Sequence, residues 1–146
     1  MDSALHTVGD IMTPNPVVVG PTNSVAKAIR LMRQHAIRRL PVVENGRLVG
    51  IVTSGDLRRI TGLASILNDK SQDNFLWHHI PVVNVMSPNP ITVAPTASAS
   101  EVAAILIEHK IGGVPVLDGD ELVGIITSTD LLRYMIRLES AVGRAT

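Results

Sequence analysis

Residues 8–59, VGDIMTPNPVVVGPTNSVAKAIRLMRQHAIRRLPVVENGRLVGIVTSGDLRR, return 74 positions later as residues 82–133, VVNVMSPNPITVAPTASASEVAAILIEHKIGGVPVLDGDELVGIITSTDLLR. The offset holds without a gap, and 22 of the aligned pairs are identical, among them Met12/Met86, Pro14/Pro88, Pro41/Pro115, Gly50/Gly124, Thr53/Thr127 and Asp56/Asp130. A match of that density marks a duplicated unit. About 60 residues is marginal for a domain standing alone, so the two units are expected to share a core.

Each copy reads as β-α-β-β-α. Val17 to Val19 after a Pro-Asn-Pro turn is an expected short buried strand. Val25, Ala28, Ile29 and Met32 then recur at helical spacing, as do Ala99, Val102, Ala103 and Leu106. Ser24 and Ser98 stand at N-cap positions, and Ser98 with Glu101 fits a capping box. Leu40 to Val43 and Leu48 to Val52 flank Asn45-Gly46, a hairpin signal that Asp118-Gly119 repeats. A second helix follows Thr53 and Thr127. In 131–138 its apolar residues fall on more than one face, which predicts burial against the sister unit and a dimer partner. The reading is an α/β (α+β) fold of two repeats related by pseudo-two-fold symmetry: one domain at 8–60, a structured linker at 61–81 and a second domain at 82–138. In the linker, Leu63, Ala64 and Leu67 can continue the preceding helix. Phe75 and Trp77 are expected to pack on their own core or on a partner. Met1 and a non-helical tail at 143–146 point to a complete chain.

Composition narrows the function classes. With 45% hydrophobic and 18% charged residues, the 146-residue chain is ordinary for a soluble globular protein. It has no cysteine, which excludes disulfides, thiol catalysis and zinc-cysteine sites. No signal peptide or long apolar run appears, so the expected location is the cytoplasm, with no membrane partner. Thirteen basic residues balance thirteen acidic ones, and one Phe, one Trp and one Tyr are too few to stack bases, which argues against nucleic acid. Phosphate-loop, dinucleotide, zincin and nucleophile-elbow motifs are missing, so the chain is not read as an enzyme. His35 and His109 are repeat-related, stand at the ends of matching helices, and read as structural. No metal site is expected.

The sharpest local signal is Gly50-Ile51-Val52-Thr53-Ser54-Gly55-Asp56, repeated as Gly124-Ile125-Ile126-Thr127-Ser128-Thr129-Asp130. A carboxylate in the first turn of a helix is stabilised by the exposed N–H groups, and its two oxygens can accept from a ribose diol. A hydroxyl three residues earlier can donate to sugar or phosphate. The same residues also make plain helix caps, and either reading fits the sequence.

At these motifs the chain resembles the cystathionine β-synthase (CBS) domain family in its tandem form, the Bateman module. The resemblance rests on Asp-Ile-Met-Thr at 10–13, Ile-Arg-Arg-Leu-Pro-Val-Val at 37–43 and Gly-Ile-Val-Thr-Ser-Gly-Asp-Leu at 50–57, with their second-copy partners. It implies a stand-alone regulatory module that takes an adenosine nucleotide (AMP, ADP or ATP) in clefts between the repeats, needs no cofactor, and reports energy state to a partner protein. S-adenosylmethionine or NAD sensing, or a ligandless interaction module, are the alternatives. Carried over by position, Asp56 and Asp130 would hold ribose, with Thr53, Thr127 and Thr129 on ribose or phosphate. Backbone around Ile37-Arg38 and Ile111-Gly112 would face adenine, with Ala28 and Val102 on the opposite wall; Asn23 and Ala97 match a further lining position.

The copies differ where Arg38-Arg39 faces Gly112-Gly113. The arginines resemble the pair that grips phosphates in a family member, the gamma subunit of AMP-activated kinase. Residues 1–73 hold nine basic and six acidic residues (+3), and residues 74–146 hold four and seven (−3). The expectation is a phosphate-rich site at Asp56, with Arg38, Arg39 and Arg59 as its cations, and a weaker or less charged site at Asp130. Exposed apolar residues on the last helices favour a homodimer.

Overall fold

The computed structural model describes residues 6–67 and 76–145. In chain order its elements are α1 (Val8–Ile11), β1 (Thr13–Pro14), α2 (Val25–His35), β2 (Arg39–Glu44), β3 (Arg47–Thr53), α3 (Ser54–Leu67), a 3-10 turn (Val82–Asn84), β4 (Ser87–Pro88), α4 (Ala99–His109), β5 (Gly113–Asp118), β6 (Glu121–Thr127) and α5 (Ser128–Ala145). Mixed helix and antiparallel strand, repeated twice, is the fold class expected from the sequence. Two details differ. The run Val17 to Val19 narrows to a single bridge, Val19 to Val42, because prolines at 14, 16 and 21 crowd a strand out. The same holds for Val93 and Val116. The tail expected to be non-helical continues α5 through Gly143 to Ala145.

The folded units cut the chain differently from the sequence repeat. One is residues 17–90 and the other is residues 1–16 with 91–146. The opening segment of each repeat therefore folds with the body of the other. In the first unit the sheet is β2-β3-β4, with Ile51 opposite Ser87 and Gly50 opposite Pro88. In the second it is β1-β6-β5, with Thr13 opposite Ile125 and Pro14 opposite Gly124. The exchange is anchored by matching backbone bonds. Val82 N–H donates to Asn23 O at 2.8 Å, and Val8 N–H donates to Ala97 O at 2.8 Å.

Gly50 and Gly124 are glycine for a steric reason. A Cβ at Gly50 would stand 2.5 Å from Met86 Sδ and 2.9 Å from the Ser87 carbonyl oxygen. At Gly124 it would run into Met12 Sδ and stand 2.9 Å from the Thr13 oxygen. The exchanged segments lie directly on these glycines.

Each unit has its own aliphatic core, where the sequence suggested a shared one. Val25, Leu40, Val42, Val52 and Val82 are fully buried in the first, and Val8, Val102, Val116 and Ile126 in the second. Trp77 packs against the first core, while Phe75 lies outside the described residues. Ser24 and Ser98 cap α2 and α4 as expected, accepting from Lys27 N and Glu101 N. Both helices end on a left-handed residue, Ala36 and Lys110, each at φ 54°. The first hairpin turns on Asn45 (φ 52°) and Gly46 (φ 79°), the two-positive pattern that admits Asn-Gly. The second turns on Gly119 (φ 64°).

Candidate functional site

The strand-to-helix junctions form from the sequence upward. β3 and β6 end on Thr53 and Thr127, and the next three residues open α3 and α5 with an acid at the third position. In the first unit Thr53 N–H donates to Asp56 Oδ2 at 2.8 Å, and Asp56 N–H donates back to Thr53 Oγ1 at 3.2 Å. In the second, Thr127 N–H and Oγ1 donate to Asp130 Oδ2 at 2.9 and 3.1 Å, and Asp130 N–H returns a bond at 3.3 Å. Both junctions are reciprocal capping boxes. Capping and ligand contact are compatible, since each box uses mainly one carboxylate oxygen and leaves Oδ1 to be satisfied from elsewhere.

That second oxygen is where the copies part. Asp56 Oδ1 accepts from the Arg59 guanidinium at 2.6 Å, an ion pair between a 74% exposed side chain and a 10% exposed one. Asp130 Oδ1 accepts from Thr13 Oγ1 at 3.1 Å, so the opening segment of the chain supplies the hydroxyl. Asp130 is 7% exposed and fully hydrogen-bonded.

The other expected residues fall as follows. Arg39 begins β2 opposite Thr53, and Arg38 O accepts from Ser54 N–H at 2.8 Å, so both arginines stand at the hairpin end that carries Asp56. Gly113 lies opposite Thr127, and Gly112 O accepts from Ser128 N–H at 2.9 Å. Ile37 is half-buried against the first core, whereas Ile111 is exposed. Thr129 is exposed in the first turn of α5. At Gly55 a Cβ would make only ordinary contact, 3.6 Å from Thr53 Oγ1, so space does not dictate glycine there. Ala28 and Val102 have no exposed surface, which makes them core residues as the structure stands. Asn23 is committed to its own turn, accepting from Gly20 N–H at 2.7 Å.

Beside Asp130 the second unit holds an open cavity of about 560 Å³, walled by residues 10–14 on one side and by Asp130, Arg133, Ile136 and Arg137 of α5 on the other. Sequence reasoning passed over Thr13, Arg133 and Arg137. The repeat itself carried the signal for two of them, since Thr13 aligns with Ser87 and Arg133 with Arg59. The sequence reading counted Arg59 beside Asp56 but not its counterpart beside Asp130, where α5 brings Arg133 and Arg137. Among the described residues no group of three or more His, Asp or Glu is placed to hold a metal.

The family model for the CBS domain matches this chain twice, at residues 8–62 and 82–137. The chain belongs to the CBS domain family. As a CBS pair it is 31% identical over 137 residues to the CBS domain-containing protein YhcV of Bacillus subtilis (strain 168), covering 94% of this chain and 91% of that one. Several other curated relatives are longer, and the chain spans between 23% and 68% of them. Among solved structures it superposes on CBSX2 of Arabidopsis thaliana in complex with AMP, with a TM-score of 0.75 and 32% identity over 92% of this chain and 98% of that one. It also superposes on the CBS pair of protein MJ0100 in complex with 5-methylthioadenosine and S-adenosyl-L-methionine, with a TM-score of 0.72 and 30% identity over 90% and 96% of the two chains.

Proposed function

We propose that this CBS pair is a regulatory module that binds an adenosine nucleotide (AMP, ADP or ATP) and performs no bond chemistry of its own. The observation that carries the reading is the pair of Thr/Asp junctions, each presenting a carboxylate oxygen beyond its capping bonds. At Asp130 that oxygen meets a hydroxyl in the structure, which is the contact a ribose diol would replace. The complexes of CBSX2 with AMP and of MJ0100 with adenosine derivatives support the ligand class. Binding biases the pair between two states only by the ligand's difference in affinity for them, and a partner protein reads the result. Leu132 and Met135 are 55% and 48% exposed on α5, whose half-buried Leu131 and Tyr134 pack against the core, and the homodimer is proposed at the exposed pair. No helix among the described residues is long and apolar enough to cross a membrane, and with no cysteine in the chain a cytoplasmic site of action fits.

Calorimetric titration with AMP, ADP, ATP, NAD and S-adenosylmethionine tests the reading, with wild type beside Asp56→Ala and Asp130→Ala. At least one adenosine ligand is expected to bind the wild type and to lose affinity in one variant. Silence from all five, with folding confirmed by circular dichroism, would transfer the module to the ligandless interaction class.

A further inference from the structure

The two copies place an arginine three residues after the junction aspartate, yet they use it differently. Arg59 is paired with Asp56 at 2.6 Å. The Arg133 side chain forms no hydrogen bond or ion pair among the described residues, and the Asp130 oxygen that corresponds to the one Arg59 takes in the first copy accepts from Thr13 instead. Arg133 and Arg137, one turn apart on α5, both border the cavity beside Asp130. Arg137 also stands 5.9 Å from the centre of the Tyr134 ring, a contact that steadies a guanidinium without neutralising it. The carboxylates that line the cavity are occupied: Asp130 takes three donors from Thr13 and Thr127, and Asp10 takes two from Thr7 at 3.2 and 3.3 Å. The cavity thus joins a hydroxyl-bonded carboxylate, apolar lining from Ile11 and Met12, and two arginines that pair with no carboxylate among the described residues.

We infer that Arg133 and Arg137 form a phosphate-binding subsite, which makes the Asp130 cavity selective for a phosphorylated nucleoside over an uncharged one. The inference rests on the adenosine reading of the module. It assigns phosphate discrimination to α5 residues and to the second copy, where the basic pair before the strand is replaced by Gly112-Gly113. A guanidinium offers paired N–H donors to phosphate oxygens, and two of them one helical turn apart can share one phosphate. S-adenosylmethionine, which brings a sulfonium cation and no phosphate, gains nothing from them.

The test is titration of wild type, Arg133→Gln with Arg137→Gln, and Arg59→Gln with AMP, 5-methylthioadenosine, ribose 5-phosphate and pyrophosphate. Amide chemical-shift mapping on Asp130 and Thr13 locates the site, and thermal unfolding confirms that each variant is folded. Loss of charge-assisted hydrogen bonds predicts that the double variant binds AMP at Asp130 about tenfold to hundredfold more weakly. Its affinity for 5-methylthioadenosine stays within about twofold, and Arg59→Gln leaves the Asp130 site unchanged. AMP weakening in the double variant accompanied by equal weakening of 5-methylthioadenosine, or no weakening at all, overturns the phosphate subsite and leaves the adenosine reading standing. Ribose 5-phosphate or pyrophosphate binding that depends on the two arginines, with no nucleoside bound anywhere, keeps the subsite and removes the adenosine reading. Silence from all four probes overturns both.

Discussion

Replacing Gly124 with alanine presses a methyl group into the place where the exchanged opening segment crosses β6. The new Cβ meets Met12 Sδ and stands 2.9 Å from the Thr13 carbonyl oxygen. The sulfur ends a flexible side chain and can swing aside. The oxygen belongs to β1, which is pinned by Thr13 opposite Ile125 and Pro14 opposite Gly124. It yields only if β1 lifts, and that carries the Thr13 hydroxyl away from Asp130. Overpacking of this kind costs about 1–3 kcal/mol. The lost hydrogen bond to a carboxylate adds about 1 kcal/mol. Alanine's smaller unfolded-state entropy returns about 0.5–1 kcal/mol. The net is a destabilisation of about 2 kcal/mol, and with about 2–4 °C per kcal/mol in a chain of this size Tm falls by about 4–8 °C. Urea unfolding followed by circular dichroism measures it, with Gly143→Ala as the control. Gly143 lies in α5 with nothing within 4 Å of an added Cβ, so that change is neutral or stabilises by up to about 1 kcal/mol. Repeating Gly124→Ala in a Met12→Ala background relieves the sulfur contact but not the oxygen, so only part of the loss is recovered. A Gly124→Ala protein within about 0.5 kcal/mol of wild type would refute the idea that the exchanged segment is held in rigid contact here.

Three further outcomes are expected from local geometry. Ala36→Gly and Lys110→Gly each relieve a non-glycine residue at φ 54° and raise stability by about 0.5–1 kcal/mol in the same unfolding assay. Ser98→Ala removes a reciprocal capping box and costs about 1 kcal/mol, and Ser24→Ala, which breaks one capping bond, costs the same or less. Leu132→Glu with Met135→Glu is expected to convert a dimer to a monomer in analytical ultracentrifugation with the circular dichroism spectrum unchanged, because both side chains are exposed within one chain.

The body of each repeat was legible in the sequence because it is built from short-range signals. Ser24 and Ser98 announce helix starts, Asn45-Gly46 announces a turn that needs positive φ at both positions, and short aliphatic runs either side of the turns place β2, β3, β5 and β6 where they are found. The opening segments were not legible for an equally physical reason. Thr13–Pro14 and Ser87–Pro88 are two-residue strands, too short for any period, and the proline in each reads as a breaker. What makes them strands is a long-range partner, β6 or β3, and a sequence pattern carries no term for that. The glycines were the available clue. Gly50 and Gly124 are identical across the repeat and sit inside strands, where glycine marks a close approach of backbone, here by the Met-Thr and Met-Ser segments themselves.

The same blindness shaped the expected site. The contrast of Arg38-Arg39 with Gly112-Gly113, together with the family resemblance, assigned those arginines to Asp56, and both stand at the hairpin end that leads to it. Neither could reveal that Asp130 would take its second-oxygen partner from Thr13, 117 residues away. The arginine that duplication repeats has different surroundings in the two copies. Where the long-range hydroxyl reaches the carboxylate, Arg133 is left facing a cavity; where it does not, Arg59 folds back onto Asp56. Two copies that agree at Thr, Ser, Asp, Leu and Arg thus differ in available charge, and the difference originates in a segment that neither junction motif contains. A Thr13→Val change should therefore act at a distance in sequence but locally in space: with its hydroxyl gone, Asp130 Oδ1 is free to draw Arg133 onto itself as Asp56 draws Arg59. The anion-facing arginine would be withdrawn with no change to any residue of α5, and AMP affinity at Asp130 would fall in parallel with that of the Arg133→Gln protein. If Thr13→Val instead left AMP binding intact while Arg133→Gln abolished it, the competition between hydroxyl and guanidinium for one carboxylate oxygen would not be what separates the two copies.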